Sequence, residues 1–128
     1  MERTHRTGTS MTVVRLALSL AALALLVVAP VHAAPGKLVG TVGPGFTISL
    51  QKNGAKVTKL RAGKYAITVE DRSSAHNFHL SGPGVNKKTS VGGTGTVRWT
   101  VTLQRGKTYR FVCDPHASAM NGSFRTVG

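Results

Sequence analysis

Three side chains that can bind a soft metal lie within eight residues of each other near the end of the chain. Cys113 is the single cysteine, His116 follows it, and Met120 comes one short segment later. A thiolate, an imidazole and a thioether together are the ligands that hold copper in electron-transfer sites. One ligand is still missing from this set, a second histidine from elsewhere in the chain.

The first 33 residues are typical of a secretory signal peptide. Three arginines precede an apolar run over residues 16–29, and Val31 and Ala33 place small residues at the positions read during cleavage. The run is shorter than the roughly 20 apolar residues that a bilayer-spanning helix needs, which favours cleavage over a membrane anchor. We therefore expect residues 1–33 to be removed and residues 34–128 to form one domain, exported to the periplasm or the cell exterior.

The cysteine of this domain has no partner for a disulfide within its own chain. Cys113 is therefore buried and inert, joined to another molecule, reactive, or bound to a metal. An inert core thiol is the usual state of a free cysteine. The nearby histidine and methionine favour a metal instead.

The predicted domain is strongly basic. Eight lysines and six arginines face three acidic residues in residues 34–128, which gives a formal net charge of +11. Such a charge attracts acidic partners, either a redox protein with an acidic docking surface or the anionic cell envelope. We expect no nucleic acid as a partner because no binding motif is present, no transmembrane segment in the mature chain, and a monomer.

Apolar and polar residues alternate in short runs throughout residues 34–128, with Gly, Pro, Asn and Ser between the runs. This pattern predicts β-strands, in which side chains two apart share a face. Many short strands in one small domain predict an antiparallel β-sandwich or a small barrel, with no long helix. The longest irregular loop is expected from Asn86 to Thr96. The alternating runs are Phe46 to Leu50, Tyr65 to Val69, Val97 to Leu103 and Tyr109 to Cys113.

The strand before the cysteine sets the direction of its side chain. Cys113 shares a face with Tyr109 and Phe111, which places the thiol on the core side at the end of the strand. Pro115 cannot continue a strand, so the chain must turn there. This turn can fold His116 back beside the sulfur.

Two histidines, His76 and His79, are candidates for the missing ligand. If the segment around them is a strand, His76 shares a face with Phe78 and Leu80, whereas His79 lies on the other face with Asn77. A ligand at the edge of an apolar core should be in register with the core residues. We therefore predict His76 as the ligand and His79 as a surface residue.

The sequence resembles the cupredoxins, the plastocyanin and azurin family of small blue copper proteins, over most of residues 38–128. The resemblance lies in His76-Asn77, in the segment from Tyr109 to His116, and in Met120-Asn121-Gly122. It implies a Greek-key antiparallel β-sandwich with one mononuclear type 1 copper ion. The ligands implied by the family are His76, Cys113 and His116, with Met120 as a weak axial ligand.

The resemblance also implies roles for residues around the ligands, namely Asn77, Asp114 and Pro115. Asn77 would tie the first-ligand segment to the backbone of the Cys113 loop. Pro115 has no N–H to donate to the thiolate. The edge of His116 would reach the surface in an apolar patch, for which the candidates are Pro44, Pro83, Pro115 and Ala117.

The function that these features predict is transfer of single electrons between redox partners, without enzymatic activity. A copper-binding or copper-delivery protein of the envelope would use the same ligands and remains the alternative. An enzyme with Cys113 as nucleophile is disfavoured because no oxyanion loop accompanies the cysteine and Met120 would have no role. Zinc is disfavoured because the thioether prefers copper.

Overall fold

The computed structural model describes Gly8 and residues 24–128. Residues 24–35 have no regular secondary structure, and the first strand begins at Gly36. Within the described residues, no helix is long and apolar enough to cross a membrane. The predicted signal peptide, residues 1–33, falls mostly outside the described residues and stays a prediction.

Two five-stranded β-sheets form the domain. The strands run in the order β3-β2-β1-β5-β8 in the first sheet and β4-β10-β9-β6-β7 in the second. The predicted β-sandwich is confirmed. The bounds are β1 Gly36–Val42, β2 Ile48–Lys52, β3 Ala55–Lys56, β4 Lys59–Arg61, β5 Gly63–Asp71, β6 His79–Gly82, β7 Val85–Lys88, β8 Gly95–Leu103, β9 Thr108–Val112 and β10 Asn121–Val127.

The core lies between the inner faces of the two sheets. Tyr65, Ile67 and Val69 on β5 are buried, as are Tyr109 and Phe111 on β9. The residues between them point outward, because successive side chains of a strand face opposite sides of the sheet. The alternation predicted for these two strands is therefore confirmed by their burial.

Two of the strand pairs are parallel, an arrangement that the sequence pattern did not predict. β1 pairs with β5, and β4 pairs with β10, while the other pairs are antiparallel. Parallel neighbours cannot be joined by a tight turn. The chain therefore leaves the first sheet after β3, forms β4 in the second sheet, and returns to form β5. This crossing ties the two sheets together.

A pair of stacked aromatic rings connects the two segments that carry the predicted ligands. The rings of Phe78 and Phe111 are 5.7 Å apart between centroids and nearly parallel, at 4°. Glycines leave room for both rings: a Cβ on Gly40 would lie 2.8 Å from Phe78, and one on Gly122 would lie 2.3 Å from Phe111. Phe78 follows His76 by two residues, so packing of this core also fixes the ligand segment.

The expected long loop from Asn86 to Thr96 is shorter in the structure. β7 takes up its first residues, through Lys88, and β8 begins already at Gly95. The sequence pattern did not predict β7, because Asn86, Lys87 and Lys88 are exposed on an edge strand and show no apolar alternation.

Candidate metal centre

The predicted ligands His76, Cys113 and His116 come together at one end of the sandwich. Cys113 follows the end of β9, His116 lies in a 3₁₀ turn at Asp114–His116, and His76 lies between β5 and β6. Cys113 and His76 are buried, and His116 is half-buried. One end of the cluster is therefore set in the core while His116 borders the surface.

The three donor atoms form a small triangle. Nδ1 of His76 lies 3.0 Å from Nδ1 of His116, and Sγ of Cys113 lies 3.7 Å from the first nitrogen and 3.6 Å from the second. The centre of this triangle is about 2 Å from all three atoms, which is close to ordinary metal–nitrogen and metal–sulfur bond lengths of about 2.0–2.3 Å. Two imidazoles and a thiolate in a trigonal arrangement fit copper.

Asn77 cross-links the segments that carry His76 and Cys113. Its Oδ1 accepts a hydrogen bond from the backbone N–H of Asp114 at 2.7 Å, and its Nδ2 donates to Asp114 Oδ2 at 2.8 Å and to the carbonyl of Thr89 at 3.3 Å. The backbone N–H of Asn77 also points to Cys113 Sγ at 3.5 Å. These contacts hold the ligand segments together by hydrogen bonds within the protein.

The loop from Cys113 to Met120 is closed by its own backbone. The N–H of Cys113 donates to the carbonyl of Met120 at 3.0 Å, and the N–H groups of His116 and Met120 donate to the carbonyls of Cys113 and His116 at 3.0 and 2.8 Å. Pro115 lies at the start of the 3₁₀ turn, where the missing N–H leaves no hydrogen bond unmade. Met120 is buried beside this closure, immediately before β10.

His79 does not join the cluster of donor atoms. Its Nδ1–H donates to Asp114 Oδ1 at 2.7 Å, and its Nε2 lies 2.6 Å from Asn86 Oδ1. The strand register used to choose between the two histidines is wrong, because β6 begins only at His79. His76, Asn77 and Phe78 are instead consecutive buried residues.

Asp114 is the acidic residue nearest the cluster. Burial by itself opposes ionisation of its carboxyl group, but hydrogen bonds from His79 and Asn77 and the positive charges of His79 and Lys88 outweigh it. Together these contacts lower the pKa of Asp114 below its ordinary value. The carboxylate is thus ionised where its Oδ2 accepts a hydrogen bond from the side-chain amide of Asn77.

The sequence did not indicate a polar pair next to the His76–Phe78 segment, formed by half-buried Thr89 and buried Asp71. The hydroxyl of Thr89 accepts the backbone N–H of Phe78 at 2.9 Å and donates to Asp71 Oδ2 at 2.9 Å. Asp71 is 5% exposed, and its other oxygen accepts the N–H of Ser73. No local signal marks these residues, because their partners lie in other parts of the chain.

Phe46 packs against both histidines of the cluster, a contact that the sequence did not indicate. Its ring lies edge-on to the rings of His76 and His116, with centroids 5.2 and 4.9 Å apart. The side chain is 65% exposed and precedes β2, although the alternation had placed it inside a strand with Leu50. The Gly43-Pro44-Gly45 sequence directly before it was the available signal for a turn.

Apolar residues border His116. Pro44, Phe46 and Pro115 are exposed there, and Ala117 is half-buried. Pro83, another candidate for this patch, lies elsewhere. Its carbonyl accepts a hydrogen bond from the hydroxyl of Tyr109, which lies near the start of β9, four residues before Cys113. Four residues of a strand span about 13 Å, so Pro83 is near the opposite end of the sandwich.

Comparison with known proteins agrees with this architecture. Residues 49–126 match the family described as copper binding proteins, plastocyanin/azurin family. The fold is similar to auracyanin A, a "blue" copper protein from the green thermophilic photosynthetic bacterium Chloroflexus aurantiacus, with 17% identity, a TM-score of 0.52, and coverage of 73% of this chain and 99% of auracyanin. It is also similar to a rusticyanin variant, with 22% identity, a TM-score of 0.51, and coverage of 70% of this chain and 76% of the rusticyanin chain.

A search of the curated proteins finds no match. The family match nevertheless spans more than half of the chain, and the cluster of His76, Cys113 and His116 lies within the matched region. Family and cluster together indicate copper as the cofactor, in a single type 1 site. The chain belongs to the plastocyanin/azurin family of copper-binding proteins.

Proposed function

We propose that this protein is an exported electron carrier in which His76, Cys113 and His116 hold one copper ion and Met120 is a weak axial ligand. The observation that carries the proposal is the assembly of the three strong donors by the protein's own hydrogen bonds. Copper in such a site accepts and gives up one electron. A donor set fixed by the protein changes little between the two oxidation states, which favours fast transfer.

The ligand surroundings have distinct roles in this proposal. Asn77 orients the thiolate through its backbone N–H and fixes Asp114 through its side chain. Pro115 offers the sulfur no further hydrogen bond, which leaves more electron density on it. The edge-on ring of Phe46 covers part of both imidazoles and limits the access of water.

Electrons would leave through His116, the ligand nearest the surface. The apolar patch of Pro44, Phe46, Pro115 and Ala117 around it would contact a redox protein. The net charge would steer a partner with an acidic surface toward the domain. The contact itself would be mainly apolar, since the acidic residues Glu70, Asp71 and Asp114 offset the nearby basic side chains.

The spectrum and redox behaviour of the purified protein test the proposal. One equivalent of Cu(II) is expected to give an intense blue thiolate-to-copper band, and voltammetry is expected to show a stable, reversible one-electron wave. A colourless or pale product would overturn the copper site. An intense band with rapid copper loss on reduction would instead favour the alternative, copper delivery.

Replacement of Met120 by leucine is expected to shift the reduction potential while the protein still binds copper. The reason is that a thioether in the axial position is a weak ligand, whereas the strong donors remain. Only three residues separate His116 from Met120, one fewer than in plastocyanin, so this position needs its own test. Potentiometry and copper titration of the variant would decide it; loss of binding would show that the assigned coordination is wrong.

Export is the remaining part of the proposal. The protein recovered from the periplasm or medium of an expressing bacterium is expected to begin at Ala34 and to lack residues 1–33. Intact-mass measurement checks this directly. Recovery of the uncut chain in the membrane fraction would indicate an anchor instead.

A further inference from the structure

The charged residues of the domain are unevenly distributed along the sandwich. We call the end that holds Cys113 the ligand end and the opposite end the distal end. The ligand end contains the last residue of β5, Asp71, and the first of β6, His79. The distal end contains the first residues of β5 and β9 and the last residue of β10, Val127.

Four basic residues lie at the distal end, two on strands of the first sheet and two in the turn between β8 and β9. Lys37 and Lys64 are the second residues of β1 and β5. Arg105 and Lys107 lie in the turn between β8 and β9. All four side chains are exposed.

Three more basic residues lie in the distal half of the second sheet. Lys59 and Arg61 on β4 are in register with Arg125 and Val127 on β10, and Arg125 is also in register with Thr108, the first residue of β9. The three basic side chains are exposed. Lys52, the exposed last residue of β2, also reaches this end, because its Nζ lies 6.0 Å from the ring centroid of Tyr65, the third residue of β5. Eight positive side chains thus surround the distal end.

The acidic side chains of the domain are all at the other end. Glu70 and Asp71 end β5, and Asp114 lies next to Cys113. Arg72 forms an ion pair with Glu70, and Lys88 lies near Asp114. Among residues 34–128, the distal end therefore has eight cations and no side-chain carboxylate, whereas the ligand end is close to neutral.

The distal surface lacks the features of a protein-docking site or a compact anion pocket. Interfaces between proteins are centred on aromatic or apolar anchors, but Val127, 36% exposed, is the one large apolar side chain exposed at this end in the described residues. Its cations are spread over both sheets, which lie about 10 Å apart. A surface of this kind is complementary to a broad layer of negative charge. Its cations are attracted to that layer when they lie within a Debye length of it, about 8–10 Å.

We propose that the distal end binds the surface of an anionic phospholipid bilayer and so directs the ligand end away from the membrane. Each basic residue near such a surface strengthens binding by about fivefold. The copper site and its apolar patch then face outward, where a redox partner can reach them. Membrane binding in this proposal does not require copper, so it can fail or succeed independently of the electron-carrier proposal.

Vesicle co-sedimentation of the apo chain from Ala34 to Gly128, which contains all ten strands and the core, tests this inference. The triple variant Lys59→Glu, Lys64→Glu and Lys107→Glu reverses distal charges. The matched control reverses three exposed charges outside the distal end, Lys56→Glu, Lys87→Glu and Arg98→Glu, with the same change in net charge. Circular dichroism of both variants verifies the fold.

Wild-type protein is expected to bind vesicles with about 30% phosphatidylglycerol in phosphatidylcholine, more weakly as salt rises, and not to bind phosphatidylcholine alone. The distal variant should bind at least about 100-fold more weakly, and the control less than about 10-fold. An equal loss of vesicle affinity in the distal and control variants would show that binding depends only on net charge and would overturn the proposal. Tighter binding to inorganic polyphosphate than to vesicles at equal phosphate would also overturn it, in favour of a soluble polymer.

Discussion

A Cys113→Ser variant is expected to lose the intense blue absorption of the copper-loaded protein completely. The band requires a thiolate sulfur bound to copper, and a serine hydroxyl cannot replace that soft ligand. The side chain is fully buried, and serine is close to it in size, so the sandwich should still form. A Cys113→Ser protein that kept the band would show that the sulfur is not a copper ligand.

The histidines give this test a matched pair of variants. His76→Ala removes one of three strong donors and should weaken copper binding by more than about 100-fold. Loss of a residue that only hydrogen-bonds to a ligand usually weakens metal binding by about 10- to 100-fold. His79→Ala removes a side chain that contacts Asp114 and Asn86 but lies outside the donor cluster, and the blue band should persist. The opposite ranking, measured by titration against a competing chelator, would contradict the ligand assignment.

An Asn77→Ala variant of the apo protein is expected to be less stable by about 3 kcal/mol or more. Asn77 is 1% exposed, and its loss leaves the N–H of Asp114 and the carbonyl of Thr89 without their side-chain partner. The three side-chain hydrogen bonds of Asn77 are expected to contribute about 1 kcal/mol each, and the cavity left by this buried side chain adds to the loss. Urea unfolding followed by circular dichroism measures the difference.

Asn86→Ala is the control for this change. Asn86 is also an asparagine whose side chain contacts another side chain, that of His79, but it is exposed on an edge strand. Its replacement should alter stability by less than about 0.5 kcal/mol, as is usual for surface residues. If Asn77→Ala cost no more than Asn86→Ala, the hydrogen bonds between the ligand segments would not stabilise the apo domain.

The fold could be predicted well where the information is local. Alternation on β5 and β9 identified the core faces, and Pro115 marked the turn after Cys113, because each signal depends on neighbouring residues. The parallel pairing of β1 with β5 could not be predicted in this way. It depends on which strands meet after the chain has crossed between sheets, and no short pattern records that choice.

The site was predictable in part for the same reason. The structure brings His76 rather than His79 to Cys113, but the strand assumed for this choice is absent: hydrogen bonds from Asn77 to Asp114, 37 residues away, hold the segment. The contacts of Phe46 with the histidine rings are equally non-local. Long-range side-chain contacts of this kind leave no periodic signal in the sequence.

The stacked rings of Phe78 and Phe111 would make the colour of the copper-loaded protein sensitive to the packing of the core. One ring is two residues after His76 and the other two residues before Cys113, so a displacement within the stack changes the distance between nitrogen and sulfur. Small strains in the interior, such as those caused by a methyl group at Gly40, would therefore appear as a change of colour. In most small β-sandwiches such a strain is visible only in an unfolding curve, whereas here the native protein would display it.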